Sequence, residues 1–353
     1  MDRKTSLWWY LKKSKMALMG GIILLILYLS SIWAGFIAPY GINNIRTDLY
    51  FHPPTKIYFF DRETLFLPYL YPTKLVSCQG QRKYEEEHSQ KIYLKFFYKG
   101  DVYKLFGIIP CCLHLFGVEE PYRIYLLGAD RFGRDILTRL LYGSQISLSI
   151  GLIGISITVA LGMIFGGISG YYGGIVDTLL MRLCELLMCF PGLYLIMALR
   201  ATVPPTVPSN YMYLLTVIVL AFVYWPGRAR VIRGQVLSLR EQEFVIAAKA
   251  CGLSDLRIIF RHILPNIFSY IIVSATLAIP GYILGETILS YLNVGIQEPC
   301  SSWGLMLREA QNIALWGEYP WLLWPGFLIF ITVLAFNFFG DGLRDALDPK
   351  SNR

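Results

Sequence analysis

The sequence predicts an all-α polytopic membrane protein with six transmembrane helices and a small mixed α/β external insert between helices 1 and 2. Three observations predict this fold class. Of the 353 residues, 55% are apolar or aromatic and only 16% are charged, whereas soluble domains carry about 25% charged residues. Several uncharged runs are long enough to cross the hydrocarbon core, which takes about 20 helical residues. Basic residues are concentrated in alternate connections, as in membrane proteins of fixed orientation.

Six segments are predicted to span the membrane. The first is Met16–Ala38, and the others are approximately residues 144–169, 178–199, 211–225, 267–292 and 321–340. Pro191–Gly192 lies inside the third span, and Pro226–Gly227 is predicted to end the fourth. A basic segment precedes span one, as in a signal peptide, but this apolar run exceeds the roughly 7–15 residues of a signal core. A retained membrane anchor is therefore favoured.

Lysine and arginine residues in the short flanks predict the orientation. They precede span one, lie between spans four and five, and follow span six: Arg3, Lys4, Lys12, Lys13 and Lys15; Arg228, Arg230, Arg233, Arg240, Lys249, Arg257 and Arg261; Arg344, Lys350 and Arg353. With six spans these segments share one side, which the positive-inside rule makes cytoplasmic. The net charge of +8 therefore needs no nucleic-acid partner.

Residues 39–143 form the predicted external insert together with the elbow that leads into the second span, and the insert is expected to be a small α/β or mostly-β module. Residues 55–60 favour a strand, and residues 91–106 favour a β-hairpin that turns at Lys99–Gly100–Asp101. Residues 81–90 are predicted to be a charged, exposed stretch. The insert shows no catalytic triad and no metal-ligand spacing, so no catalytic residue and no metal site are predicted.

The elbow itself is rich in charge and glycine. Its pre-core motif, in "LLGADRFGRDIL", comprises Gly128, Asp130, Gly133, Arg134 and Asp135. A turn followed by a helix start is expected here, with the carboxylates near the helix N-terminus, where the helix dipole stabilises negative charge. A structural role is favoured for these residues.

The connection between spans four and five contains a predicted helical hairpin, residues 241–265. The first helix, Glu241–Ala250, is expected to align Phe244, Ala247, Ala248 and Cys251 on one stripe. Gly252 is expected to end that helix, and Ser254 to cap a second one with Asp255 in its first turn. The second helix is expected to present Leu256, Ile259, Phe260 and Ile263 on one side and to stop at Pro265.

A cytoplasmic hairpin with this much apolar surface must bury it against its own bundle, the membrane or a partner protein. Because the hairpin is joined directly to two spans, it could transmit a push from a partner into the membrane. Basic side chains Arg257 and Arg261 leave a second interpretation open, a membrane-anchored regulator that binds DNA. An ion-coupled secondary transporter is disfavoured, since repeated halves and a mid-membrane ion site are not visible in the sequence.

Four stretches resemble one family. "AAKACGLSDLRIIFRHILP" resembles the EAA loop of ABC-transporter permease subunits. "LGADRFGRDILTRLLYGSQISL" resembles the segment before the core spans in the C-type permeases of dipeptide and oligopeptide importers, "GETILSYLNVGIQEPCSSWGLML" their fifth-span exit, and "FNFFGDGLRDALDPK" their C-terminal end. The resemblance covers about residues 126–350 and the N-terminal anchor; residues 39–125 match least.

The resemblance implies a type I ABC-importer core with four regions. These are a cytoplasmic N-terminus with the first helix (1–38), the external insert and elbow (39–143), a five-helix core with a cytoplasmic coupling loop at 226–265 (144–341), and a cytoplasmic tail (342–353). The implied ATPase-coupling residues are Ala247, Ala248, Gly252, Ser254, Leu264 and Pro265. Ile246 departs from the family's glutamate, and Glu243 lies one turn earlier, so packing rather than an ion pair is expected at the ATPase contact.

The resemblance also implies a function and partners. The chain would be a transport subunit, not an enzyme, of a binding-protein-dependent peptide importer in the bacterial inner membrane, with both termini cytoplasmic. A second permease subunit, two cytoplasmic ATPase subunits, an external peptide-binding protein and membrane lipid are expected, and nucleic acid is not. No GxxxxGK[ST] phosphate loop occurs, so ATP and Mg are expected on the partner subunits and no cofactor on this chain. Nickel chelates or peptide-like compounds are the alternative substrates.

Ionisable groups inside spans are costly and are often functional. Glu286 is expected near the outer end of span five, either at the interface with water or as a gate facing the transport pathway. Arg182 and Glu185 lie three residues apart on one helix face, which predicts a structural ion pair.

Overall fold

The computed structural model describes residues 14–60, 65–78, 81–105, 107–204, 207–312 and 314–347. The basic flank that includes Arg3, Lys4, Lys12 and Lys13 lies outside the described residues, as do Lys350 and Arg353 of the predicted tail. The described residues form two compact units, which are treated separately below. The first contains those up to Leu25, Leu148–Ile296 and those from Ile329 on, and the second contains Ile26–Ser147 and Gln297–Leu328.

Helices dominate the described chain. They are α1 (Lys15–Ile32), α2 (Ala34–Ile37), α3 (Ile136–Tyr172), α4 (Gly174–Met188), α5 (Gly192–Ala201), α6 (Ser209–Leu239), α7 (Glu243–Ala250), α8 (Asp255–Ile258), α9 (Phe268–Tyr291), α10 (Trp303–Glu309), α11 (Ala314–Glu318) and α12 (Trp324–Leu347). A π-helical turn (Ile259–Ile263) and a 3-10 turn (Leu264–Ile267) join α8 to α9, and a second 3-10 turn (Pro320–Leu323) precedes α12.

Five helical segments of the described chain are long and apolar enough to cross a membrane: Lys15–Ile32, Ile136–Tyr172, Tyr211–Leu239, Asp255–Tyr291 and Pro320–Leu347. A sixth exists if the pair α4 and α5 counts as one span, although the two helices are bent by 83° at their break. The fold therefore has about five to six apolar helices. The bend lies at Pro191, which cannot donate a helical hydrogen bond and occupies the N-cap of α5.

Pro226–Gly227 does not end the helix of the fourth predicted span. Helix α6 runs through Pro226 and continues to Leu239. A proline removes one hydrogen bond from a long apolar helix but does not end it when packing supports both sides. Trp225 and Ala229, which flank the proline, are both buried in a cluster with Cys184. Packing has therefore overridden the local signal.

The insert is built from strands rather than from mixed α/β structure. The strands are β1 (Tyr58–Phe60), β2 (Leu65–Leu70), β3 (Thr73–Cys78), β4 (Gln81–Glu86), β5 (Ile92–Tyr93), β6 (Lys95–Leu105) and β7 (Ile109–Gly117). They form an antiparallel sheet of order β1-β2-β5 and the two antiparallel pairs β3-β4 and β6-β7. Among the described residues 39–135 there is no helix, so the mostly-β alternative is observed and the α component of the other alternative is not.

One prediction within the insert needs correction, and another missed a strand. The predicted turn at Lys99–Gly100–Asp101 lies inside β6, where the register with β7 shifts between Lys99 and Tyr103. The true turn follows Leu105 and includes Gly107, whose φ is +74°. The stretch 81–90 is exposed or half-exposed at its described side chains, as predicted, and also forms strand β4 over Gln81–Glu86. Strand β6 is irregular and strand β4 is rich in charge, so neither shows the simple alternation of apolar and polar residues by which a strand is predicted.

Each unit has its own apolar core. In the first unit, the hairpin between α6 and α9 packs on the ends of α3 and α6 in a cluster of Tyr171, Ile232, Val236, Val245, Ala248, Ile258, Ile259, Ile263, Leu264, Ile267 and Ile271. In the second unit, the sheet packs around Leu70, Ile92, Phe116, Val118 and Ile124. The first cluster positions the candidate site.

Candidate functional site

The hairpin at residues 243–267 turns sharply at Gly252. The N–H of Leu253 donates to the carbonyl of Ala248 (3.3 Å), and that of Gly252 to Lys249 (2.9 Å). This hydrogen-bond pair is a Schellman motif, whose central residue takes the left-handed conformation. Gly252 has φ of +75°, and a Cβ at this position would meet no atom within 4 Å. The predicted end of the first helix is confirmed.

The start of the second helix is only partly as predicted. Ser254 occupies the N-cap position of α8, but its side chain makes no capping hydrogen bond, so the predicted side-chain cap is wrong. Asp255 does lie in the first turn, and its Oδ1 accepts a hydrogen bond from the hydroxyl of Tyr171 (2.8 Å). The carboxylate thus ties the hairpin to the end of α3.

Pro265 does not halt the chain. It lies at the start of a 3-10 turn that leads directly into α9, and helical structure continues from Asp255 to Tyr291. The preceding turn, Ile259–Ile263, is π-helical, and this wider turn accommodates the missing N–H of the proline. The side-chain amide of Asn266 donates to the carbonyl of His262 (2.5 Å). The hairpin is therefore joined to α9 by continuous helical backbone.

The hairpin has a buried face and an exposed apolar face. The predicted stripes are only half right, because Ala248, Ile259 and Ile263 are buried whereas the other members of the two stripes are exposed. Residues 244–248 are all apolar, so periodicity alone could not decide which side packs inward. The buried side chains are Val245, Ala248, Ile258, Ile259, Ile263 and Leu264; the exposed apolar ones are Phe244, Ile246, Ala247, Cys251, Leu256 and Phe260.

Polar contacts that were not predicted from the sequence connect this hairpin to α3 and join α6, from which the hairpin extends, to α4. The ammonium group of Lys249 lies 4.8 Å from the centroid of the Tyr171 ring. Arg233 of α6 forms a bidentate ion pair with Asp177 of α4, which also accepts a hydrogen bond from Ser169. Tyr171 and Asp177 carry no sequence signal of their own, since the partners Asp255 and Arg233 lie 84 and 56 positions away.

In the second unit, the elbow has the predicted turn and helix start. Gly128 and Gly133 have positive φ, and a Cβ at Gly133 would lie 1.8 Å from the carbonyl oxygen of Arg46. Asp135 immediately precedes α3, and its Oδ2 accepts hydrogen bonds from the N–H and the hydroxyl of Thr138, both at 2.7 Å. This is the expected carboxylate at a helix N-terminus.

A buried ion cluster connects the elbow to residues 298–309 of the same unit. Arg134 contacts Asp130 (2.7 Å) and Glu298 (2.7 Å). Arg139, only 1% exposed, contacts Asp130 (2.6 Å), Glu309 (2.7 Å) and Glu298 (3.0 Å). Asp130 and Arg134 belong to the predicted pre-core motif. Arg139, Glu298 and Glu309 do not, because contacts within the cluster span up to 175 positions. The arrangement supports the structural interpretation of the elbow.

Burial raises the pKa of two acids, Asp135 beside this cluster and Glu309 within it. Desolvation raises the pKa of Asp135 to about 7, against the opposing effect of its hydrogen bonds from Thr138. Desolvation also raises the pKa of the Glu309 carboxyl, which Arg139 opposes. A folded-state pKa above the unfolded value means that Asp135 binds its proton more tightly in the folded chain. Its contribution to stability is therefore complete below about pH 4 and is lost as the pH rises toward 7.

We expect the substitution Asp135→Asn to remove this pH dependence while keeping an amide that can still cap α3. Between pH 6 and pH 8, the wild-type unfolding temperature should fall by about 2–4 °C more than that of the variant. Differential scanning fluorimetry in detergent measures both. Asp48→Asn, at an exposed position in the same unit, is the control and should keep the wild-type slope. Equal slopes for wild type and Asp135→Asn would disprove the assignment.

The two charged positions predicted inside spans have different environments. Glu286 is fully buried, and its Oε1 accepts a hydrogen bond from Ser290 (2.6 Å), so the interpretation that it meets water is wrong for this conformation. Arg182 and Glu185 form the predicted ion pair, at 2.9 Å on one face of α4, with both side chains exposed. Among the described residues, no group of three His, Cys, Asp or Glu side chains is arranged to hold a metal ion.

Comparison with known proteins gives matches at both ends of the chain. The family "Binding-protein-dependent transport system inner membrane component" matches residues 162–353, and "N-terminal TM domain of oligopeptide transport permease C" matches residues 5–54. The oligopeptide transport system permease protein OppC of Haemophilus influenzae is 44% identical over 65% of this chain and 71% of its own length. The dipeptide transport system permease protein DppC of Bacillus subtilis is 40% identical over 66% of this chain and 71% of its own.

Two further similarities are more distant. The glutathione transport system permease protein GsiD of Pectobacterium atrosepticum is 38% identical over 66% of this chain and 75% of its own length. The solved structure of the MetNI methionine ABC transporter in inward-facing conformations aligns with a TM-score of 0.46 and 15% identity, over 59% of this chain and 96% of that one. A structural similarity this low indicates neither a substrate nor a helix arrangement.

Proposed function

This chain belongs to the family of binding-protein-dependent transport system inner membrane components, and from that premise we propose that it is a permease subunit of an ATP-driven ABC importer for peptides. Relatives 38–44% identical are named for the transport of oligopeptides, dipeptides and glutathione, which supports a peptide substrate. The chain is a transport subunit rather than an enzyme. ATP and Mg belong to separate ATPase subunits, and a second permease and an external peptide-binding protein complete the importer.

The proposed topology has six spans, with the bent pair α4 and α5 crossing as one. Basic residues in the connection between α6 and α9 support a cytoplasmic location for the hairpin, and with six spans both termini share that side. Residues 144–341 then form a five-helix core of the type I importer kind. The insert, within residues 39–143, is then on the external side of the membrane.

The exposed apolar face of the hairpin is the observation that carries the proposal. Phe244, Leu256 and Phe260 are large, exposed and placed on a segment that continues directly into α9. An exposed apolar surface marks a contact with a protein or with the membrane. The family, whose ATPase is a separate subunit, favours a protein at this one. The buried face is held by the Tyr171–Asp255 hydrogen bond. A push on the exposed face would thus be transmitted to α9 rather than absorbed by a loose connection.

The predicted coupling residues divide between these two roles. Ala247, Gly252, Ser254 and Pro265 are exposed and belong to the proposed ATPase contact. Ala248 and Leu264 are buried and instead hold the hairpin in place. Ile246, which replaces the family's glutamate, is 58% exposed. An apolar side chain there adds to the exposed apolar face, so packing supplies the contact that an ion pair would otherwise make.

Glu286 is a candidate gate residue within this proposal. A carboxylate buried in a bundle is costly unless it is hydrogen-bonded, and it marks a functional position more often than a structural one. In this conformation the hydroxyl of Ser290 donates a hydrogen bond to Oε1 of Glu286. Opening of a pathway at Glu286 would therefore replace the Ser290 hydrogen bond with water or with the amino group of a peptide.

Affinity purification of the tagged chain in mild detergent tests the proposal. We expect it to bring down two ATP-hydrolysing subunits and a second permease, and we expect the complex in vesicles to import peptide only with ATP and the binding protein. If the chain alone accumulates substrate in response to an ion gradient, the importer assignment is wrong. If nuclease treatment releases a tightly bound DNA, the regulator interpretation is correct instead. Competition by unlabelled peptides or by nickel chelates then identifies the substrate class.

A further inference from the structure

The hairpin β6-β7 of the insert packs directly on the end of the first membrane helix. The ring of Tyr103 covers Gly35, so closely that a Cβ on the glycine would lie 2.2 Å from the ring. The Nδ1 of His114 donates to the carbonyl of Ala38 (2.5 Å). The rings of Phe36 and Phe97 lie 6.3 Å apart. These contacts all lie within the second unit and fix the hairpin to α2.

The position of Gly35 places this contact at the membrane boundary. Lys15, the last charged residue before the apolar run, and Gly35 are 20 positions apart. A helix of that length rises about 30 Å, which is about the thickness of the hydrocarbon core. Gly35 is therefore near the boundary opposite Lys15, and Tyr103 is at the same level. This conclusion does not depend on which side of the membrane is cytoplasmic.

The hairpin exposes large apolar side chains beside this contact and at its turn. Ile108 in the turn is 81% exposed, Val102 is 75% exposed, and Phe97 is 64% exposed. Phe97 also has φ of +52°, a conformation that costs a bulky residue free energy and persists only where the surroundings or a function maintain it. Phe96 and Ile109 are exposed as well. A water-facing hairpin would not present this surface.

Basic residues accompany the apolar side chains. Lys99 and Lys104 lie on β6 and are both exposed. Among the described residues they have no carboxylate partner, whereas Lys95 at the far end of the strand pairs with Glu119. Apolar side chains with flanking lysines are the composition of segments that lie in the interface of a membrane with anionic lipids.

We propose that the β6-β7 hairpin is a membrane-surface contact, with Phe97, Ile108 and Ile109 in the lipid interface and Lys99 and Lys104 at anionic phosphate headgroups. Lipid is favoured over a protein partner because the apolar surface continues directly from a membrane helix. Trp33, exposed near the end of that helix and in ring contact with Phe36, extends the same surface. The family matches, at residues 5–54 and 162–353, do not include the hairpin. The contact is thus a property of this chain's insert.

Photo-crosslinking in the intact transporter tests the proposal. The variant Ile108→p-benzoylphenylalanine is reconstituted in vesicles of phosphatidylethanolamine and phosphatidylglycerol, irradiated and examined by mass spectrometry. We expect lipid adducts about tenfold more abundant than for Glu85→p-benzoylphenylalanine, a matched exposed strand position on β4. Retained association with the other subunits shows that each variant is folded. Equal lipid adducts at the two positions, or adducts of residue 108 with protein alone, would overturn the proposal.

The lysine component is tested in the same experiment. Adding Lys99→Gln and Lys104→Gln to the residue-108 variant should lower the share of phosphatidylglycerol among the adducts by about threefold, because each lysine near the surface attracts anionic lipid. An unchanged share would show that these lysines do not contact headgroups. Neither result bears on whether the chain imports peptides, so this proposal and the importer assignment fail separately.

Discussion

Replacing Gly252 with tryptophan is expected to abolish ATPase association and peptide uptake while the chain still inserts into the membrane. The glycine has φ of +75°, and a Cβ added to it would have no atom within 4 Å. A side chain there would adopt a left-handed backbone at a cost of about 1–2 kcal/mol, and it would project from the exposed face where the ATPase is proposed to pack. Loss of a close contact at the centre of an interface lowers affinity by tenfold for about every 1.4 kcal/mol. Recovery of ATPase by the tagged chain and peptide uptake by vesicles measure the two effects.

Gly107→Trp is the matched control. Gly107 has φ of +74° and, like Gly252, no atom within 4 Å of an added Cβ, but it lies in the turn of the insert. The control should bear the same backbone cost and keep its ATPase. Unchanged uptake by the Gly252 variant would disprove the proposed contact, and equal loss in both variants would assign the effect to backbone strain.

Replacing Arg139 with methionine is expected to produce the largest loss of stability. Its guanidinium contacts Asp130, Glu298 and Glu309 within 3.0 Å. Methionine preserves much of the volume but leaves the buried carboxylates of Asp130 and Glu309, and the exposed one of Glu298, with Arg134 as their remaining arginine. Removing one partner from a buried ion cluster costs about 3–5 kcal/mol. Since each kcal/mol shifts the midpoint of a domain of this size by about 2–4 °C, the unfolding temperature should fall by at least about 6 °C.

Arg182→Met provides the comparison, because Arg182 forms a single exposed ion pair with Glu185. Such pairs contribute about 0–1 kcal/mol, so its unfolding temperature should remain within about 3 °C of wild type. Scanning fluorimetry at neutral pH measures both variants. Similar small losses would show that the cluster around Arg139 is not a stabilising connection between the elbow and residues 298–309.

The parts of the fold that depend on local chemistry were predictable from the sequence. Apolar run length located the membrane helices, and Gly252 ended its helix as expected because only a left-handed residue closes a Schellman motif without strain. Asp135 preceded α3 as its type and position indicated. In each case a few neighbouring residues determine the structure.

The parts that failed depend on contacts between distant residues. Pro226 and Pro265 signal helix ends locally, but packing at Trp225 and Ala229 and a π-helical turn before Pro265 carry the backbone through. The run of apolar residues in α7 could not reveal which side is buried, since Ile232 and Val236 of another helix select Val245 and Ala248. The prediction of the ion cluster around Arg139 was incomplete for the same reason.

Photo-crosslinking from the exposed face of the hairpin tests the central claim most directly. With p-benzoylphenylalanine in place of Leu256, which is exposed on that face, irradiation of intact cells should join the chain to an ATPase subunit. The same probe at Ile258, which is buried, should give no such adduct. An adduct with the ATPase at residue 256 and not at 258 is the predicted result. Adducts at residue 256 with lipid or nucleic acid alone, and none with an ATPase, would contradict the account.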